Sequence, residues 1–158
     1  MNFDKAGAGP PVILVHGLGA SKFSWKQTVP ELSPRFTTFA VDLLGFGHTP
    51  APAHFDFTVA GQADAVKELV RNEHLPEPII IVGHTMGGSI CLELAAKAGQ
   101  SGFPSLNKVV LIDPLAPPPR PGVPADRSVG PAGAPEGSSG ETPAADLQTR
   151  VHREPRGH

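Results

Sequence analysis

A hydroxyl group that could attack a carbonyl carbon stands at Thr85, inside the stretch VGHTMGGS that runs over residues 82–89. The apolar run Ile79-Ile80-Ile81 precedes it and a helix-like segment follows. That is the outline of G-x-S-x-G, a sharp strand-to-helix turn that presents a nucleophilic serine. The chemistry such a turn serves is acyl transfer, in which the hydroxyl oxygen attacks and negative charge develops on the former carbonyl oxygen. Threonine changes the terms. Its extra methyl group lies where the carbonyl must approach, and a positive φ is costly for a β-branched residue. Threonine nucleophiles that use their own N-terminal amine as base are no guide here, because Thr85 lies in mid-chain.

The elements that must position Thr85 are visible as four apolar runs, at residues 11–17 (PVILVHG), 36–42 (FTTFAVD), 78–83 (PIIIVG) and 108–113 (KVVLID). Continuous Val/Ile runs of this length fit parallel strands covered by helices on both faces. Between the second and third runs, Val59, Ala63, Val66, Leu69 and Val70 recur at helical spacing behind a capping Thr58. After the third, residues 86–99 supply strong helix formers and stop at Gly99. The first connection contains two prolines, but Trp25, Val29 and Leu32 can form one short apolar face. Strand and helix therefore alternate, which predicts an α/β fold: a three-layer α/β/α parallel sheet of about four core strands with right-handed crossovers. Ligands in such sheets bind beyond the carboxyl ends of the strands, and the unusual motifs all fall there.

Three of those motifs share an order and spacing. HGLG (His16 to Gly19) follows the first strand, DLLGFGHT (Asp42 to Thr49) the second and GHTMGG (Gly83 to Gly88) the third. Together they make the sequence resemble the N-terminal half of an α/β hydrolase, the superfamily of esterases, lipases, epoxide hydrolases and haloalkane dehalogenases, over about residues 8–116. The resemblance implies that the backbone amides of Leu18 and Met86 stabilise an oxyanion, with His16 and Gly17 shaping the first turn. It implies a structural role for Asp42 in a tight loop beside the site, where Leu44 and Thr49 stand in place of the family's usual proline and serine. His48 does not occupy the family's catalytic histidine position. Asp113, at the end of the fourth strand, matches the place where some members carry the acid of the triad.

A general base is not placed by any motif. In the family the catalytic histidine follows the last strand; here the only histidines after Asp113 are His152 and His158, in RVHREPRGH, a stretch with no pattern that would hold an imidazole against Thr85. Ser89, one helical turn past Thr85, is no substitute. The resemblance further implies that the chain is truncated, lacking the opening hairpin and the later strands, either cut short or read out of frame. The strands at 36–42 and 108–113 would then be bare edges open to self-association.

Bulk properties narrow the function classes. The chain has 158 residues and a formal charge of −2 without a Lys/Arg run, so nucleic acid is not an expected partner. Its apolar runs are too short to span a bilayer and its N-terminus has no signal-like apolar core, so no membrane association and a cytoplasmic location are expected. The single cysteine, Cys91, sits among apolar helix neighbours and reads as a buried, inert thiol. No metal or organic cofactor is implied. From Pro117 onward Pro and Gly make up roughly a third of the residues and large apolar side chains almost vanish, so residues 1–116 read as a partial hydrolase domain and 117–158 as a disordered tail. The expected function is hydrolysis of an ester or similar small-molecule bond through Thr85, weak or absent in this chain on its own. A non-catalytic binding or interaction module and an incomplete gene product stand as alternatives.

Overall fold

The computed structural model describes residues 1–115. The expected tail, with His152 and His158, lies outside the described residues. Four strands fall where the apolar runs predict them: β2 (Pro11–Val15), β3 (Thr37–Val41), β4 (Ile79–His84) and β5 (Leu106–Ile112). They form one sheet in the order β3-β2-β4-β5, with every neighbouring pair parallel.

A fifth strand, β1 (Phe3–Ala6), extends the sheet antiparallel to β3, with Phe3 opposite Val41 and Ala6 opposite Thr38. The edge of β3, expected to be bare, is therefore covered. The sequence hides this strand because FDKA is short, carries two charges and is only half-buried. It is anchored instead by single contacts: the Phe3 ring lies 5.6 Å from that of Phe39, and Lys5 Nζ sits 5.3 Å above the same ring.

Alternation along each strand divides the core into two layers. Val12 and Leu14 of β2 join Ala40 and Val82 on one face, where Trp25 packs together with Val29 and Leu32 of the short helix α1 (Thr28–Leu32). This is the small apolar face read from the sequence. Ile13, Val15, Phe39, Val41, Ile79 and Ile81 point to the other face, under α2 (Val59–Asn72) and α3 (Met86–Lys97). Helix α2 opens at Thr58, whose hydroxyl oxygen accepts the Gly61 N–H at 3.0 Å, and turns Ala63, Val66, Leu69 and Val70 inward. Cys91 of α3 is fully buried, and burial alone pushes its thiol up to about 12, which keeps it protonated and inert. Among the described residues no helix is long and apolar enough to cross a membrane.

The chain leaves β2 on one side to make β3 and crosses back to make β4 on the other. The carboxyl ends of β2 and β4 thus flank the point where strand order reverses, the place where open α/β sheets leave a crevice.

Candidate functional site

Register builds the site. Val15 pairs with Gly83, so two residues further on Gly17 and Thr85 stand side by side beyond the strand ends. Thr85 closes β4 and caps α3 with φ 48° and ψ −113°, a conformation in which a β-branched residue is strained. Backbone hydrogen bonds hold it there. Its N–H donates to the Ile112 carbonyl at 3.0 Å, and its own carbonyl accepts from Gly88 N–H at 2.9 Å and from Leu115 N–H at 3.2 Å. A Cβ on Gly17 would run into Thr85 Oγ1, so glycine is the residue that lets the hydroxyl approach the HGLG turn.

Thr85 faces a cavity of about 370 Å³ whose walls include Gly17, Leu18, Trp25, His84 and Ile112. Leu18 and Thr85 therefore line one opening. The Leu18 side chain is largely exposed. Met86 begins α3 directly after Thr85, at the positive end of the helix. Neither the Leu18 nor the Met86 amide donates to another protein group among the described residues. Two free amides beside a free hydroxyl can take an oxygen that gains negative charge when the hydroxyl attacks.

The walls are tied together by Asp42, which is fully buried. Its carboxylate accepts the backbone N–H of Lys22 at 2.7 Å and of His48 at 2.9 Å, joining the loop after β2 to the loop after β3. Burial alone would raise its pKa, but these two hydrogen bonds, then the Lys22 charge, outweigh it and hold the carboxyl below the ordinary 3.8. Its main-chain carbonyl accepts the Thr49 hydroxyl at 2.7 Å, and that hydroxyl oxygen in turn accepts Asn2 N–H at 2.8 Å. Asp42 is thus placed as a structural anchor, the role that the resemblance implies for it. The His48 ring lies 3.6 Å from it and is otherwise in solvent.

Leu44, standing where the family pattern has proline, has an N–H that proline would lack. That N–H donates to Gln62 Oε1 at 3.1 Å, while Gln62 Nε2 donates back to the Leu44 carbonyl at 2.9 Å. The buried Gln62 of α2 was not legible as a supporting residue, because its partner lies 18 residues away. Gln62→Leu leaves both Leu44 groups unpaired and is expected to cost about 2 kcal/mol, measurable as a shift in the urea midpoint.

Asp113 lies one residue past β5 with φ 45°, on the strand end next to Thr85, but it does not line the cavity. It makes no hydrogen bond to a histidine or to Thr85 among the described residues. The Ser89 hydroxyl donates to the Leu115 carbonyl at 2.9 Å and is occupied. His84 and Trp25 share the cavity with Thr85, although the sequence marks Trp25 only as part of a short apolar face; the Trp25 Nε1–H is buried without a partner among the described residues. No group of three His, Cys, Asp or Glu side chains that could hold a metal occurs among the described residues.

Comparison with known proteins agrees with this architecture. The family model for the alpha/beta hydrolase fold matches residues 10–148. An uncharacterized protein of Mycobacterium tuberculosis is 34% identical over 111 residues, covering 70% of this chain and 30% of that protein. A soluble epoxide hydrolase of a Corynebacterium species is 35% identical over 96 residues, covering 60% of this chain and 32% of the hydrolase. Among solved structures, a thermophilic esterase from Thermogutta terrifontis superposes with a TM-score of 0.66 at 30% identity, covering 76% of this chain and 42% of the esterase. The chain spans roughly a third of the length of the two curated relatives.

Proposed function

Because the chain belongs to the alpha/beta hydrolase fold family, we propose that it carries machinery for hydrolysing an ester or a similar small-molecule bond, with Thr85 Oγ1 as the attacking oxygen and the Leu18 and Met86 amides as oxyanion donors. One observation carries this reading: Thr85 is held at φ 48° and ψ −113° with its hydroxyl against Gly17 at the wall of a cavity. Strain of that kind persists only where surrounding bonds enforce it, and it turns the hydroxyl toward a ligand. The epoxide hydrolase and esterase relatives support the same substrate class. Neither the reading nor the residues in it call for a cofactor, and a buried, inert Cys91 fits a cytoplasmic setting.

The weak point is proton removal. No imidazole hydrogen-bonds Thr85 Oγ1 among the described residues, and both ring nitrogens of His16 are already engaged. Asp113 is the candidate to orient a base supplied from outside the described residues. In a serine triad, losing the base costs on the order of a millionfold in rate, about 8 kcal/mol of barrier. Without such a base, the described residues alone would support only slow hydrolysis.

The test is release of p-nitrophenol from p-nitrophenyl acetate by wild type and Thr85→Ala. Slow turnover is expected in wild type, falling about tenfold or more in the variant. Equal rates would remove the hydroxyl from the mechanism. They would favour a second reading, a non-catalytic module that pairs with a second copy through β5, whose Val110, Leu111 and Ile112 are exposed and whose outer edge has no partner strand among the described residues. Sedimentation would then reveal a dimer.

A further inference from the structure

Among the described residues, His84 is the only side chain lining the cavity beside Thr85 that can take a proton near neutral pH. The other polar groups on that wall, the Ser24 and Thr28 hydroxyls and the Trp25 N–H, cannot serve as bases there. Strand alternation puts the ring in this place. Val82 packs with Trp25 on one face of the sheet, and two residues further on His84 falls on the same face, paired with Ile112 of β5.

Gly17 gauges how close the ring and the hydroxyl stand. A Cβ at Gly17 would strike Thr85 Oγ1 and would lie 3.3 Å from His84 Nδ1. Two atoms that flank one point in this way are near enough for a proton to pass directly or through a single water. The ring is also uncommitted. Among the described residues, the histidine rings that bond are His16, to Gly17 and Leu43, and His48, to Asp42.

We propose that His84 is the general base for Thr85, the proton acceptor through which the described residues support slow ester hydrolysis. This rests on the reading of Thr85 as the nucleophile and supplies the acceptor that reading lacks. An imidazole lone pair takes the proton from Thr85 Oγ1 while an oxygen electron pair forms the bond to the carbonyl carbon; the C=O π pair moves onto the oxygen held by the Leu18 and Met86 amides. That pair then returns, the bond to the alcohol oxygen breaks, and the imidazolium gives its proton to the departing alkoxide. Water attacks the threonyl ester in the same way, its proton passing to His84 and on to Thr85 Oγ1 as the acid leaves. No carboxylate bonds the His84 ring among the described residues, so its tautomer is not fixed, a deficit worth about 10⁴ in rate in a serine triad. His84 is thus a base in the right place with nothing to orient it, which keeps the reaction slow.

The test is turnover of p-nitrophenyl acetate by the full chain as wild type, Thr85→Ala, His84→Gln and the double variant, with far-UV circular dichroism checking the fold of each. Each single variant is expected to lose about tenfold or more, and the double variant no more than either, because base and nucleophile act in one step. No charged side chain lines the cavity with His84; the titratable residues nearest its walls along the chain are His16 before Gly17, Lys22 and Lys26 around Trp25, and Asp113 after Ile112. The wild-type rate less that of Thr85→Ala is expected to rise with pH and level off between about pH 5 and 8, as an imidazole base requires. A wild-type rate in His84→Gln with a fall in Thr85→Ala would overturn His84 as the base and leave the hydroxyl as the nucleophile. A loss on removing His84 that persists in the Thr85→Ala background would mean that the ring attacks the ester itself, which also overturns the proposal. Equal rates in wild type and Thr85→Ala would sink the nucleophile and its base together. Should His84→Gln unfold, the pH profile decides alone: a difference rate proportional to hydroxide, with no plateau, overturns the base.

Discussion

Asp42→Ala is expected to remove about 3–5 kcal/mol of stability, although Asp42 touches no substrate. The substitution strands the Lys22 and His48 amides that the carboxylate accepts at 2.7 and 2.9 Å. Each orphaned donor costs about 1–3 kcal/mol when water cannot reach it. The closing of the loop on Gly47, whose added Cβ would strike the Asp42 carboxylate, would also go slack. Asp42→Asn, which keeps one carbonyl oxygen, is expected to lose about half as much. Urea denaturation at neutral pH measures both. A loss under about 1 kcal/mol for the alanine variant would mean that water replaces the carboxylate and that the two loops are held by something else. The pH dependence follows with a definite sign: a carboxyl held below its free value of 3.8 contributes fully above that value and loses its contribution as pH falls through the lower one.

What could be read from the chain alone was whatever is encoded locally. The runs that became β2 and β4 are continuous because both faces are covered, so no partner had to be guessed. Thr58 could be named as a cap because its bond to Gly61 N–H closes within three residues. The strain at Thr85 followed from a motif whose backbone path is set by its two ends. Features that depend on distant partners stayed hidden. Strand β1 is recognisable only once β3 offers it an edge and Phe39 offers Phe3 a ring. Gln62 looks like an ordinary polar residue of α2 until the loop after β3 brings Leu44 to it. Likewise, His16 announces a turn from its sequence context, but the groups that its ring nitrogens meet, the Gly17 carbonyl and the Leu43 N–H beyond the next strand, emerge only in the fold. Local chemistry is thus legible, while the bonds that hold one loop to another are properties of the sheet order.

Gly87→Ala sets two effects of opposite sign against each other, and the larger decides where α3 can sit. In a free helix the change would favour folding by about 1 kcal/mol, because glycine has the more flexible unfolded chain. Here the added Cβ would meet the carbonyl oxygens of Val15 and His16, which are backbone atoms of β2 and its exit and cannot rotate aside. Relief requires α3 to back away from the sheet, and that separation opens contacts made by Ile90 and Leu94 in the core. Overpacking of this kind costs about 1–3 kcal/mol where side chains can yield and more where backbone must move. The net expectation is a loss of about 3 kcal/mol, read from the urea midpoint at unchanged slope. The same movement carries Met86 and Thr85 away from Gly17, so the wall of the cavity and the spacing of the two free amides change with it. A neutral or stabilised Gly87→Ala would mean that helix propensity prevails and that β2 and α3 have room to spare. The close approach of Thr85 to the HGLG turn, on which the hydrolytic reading depends, would then lose its support.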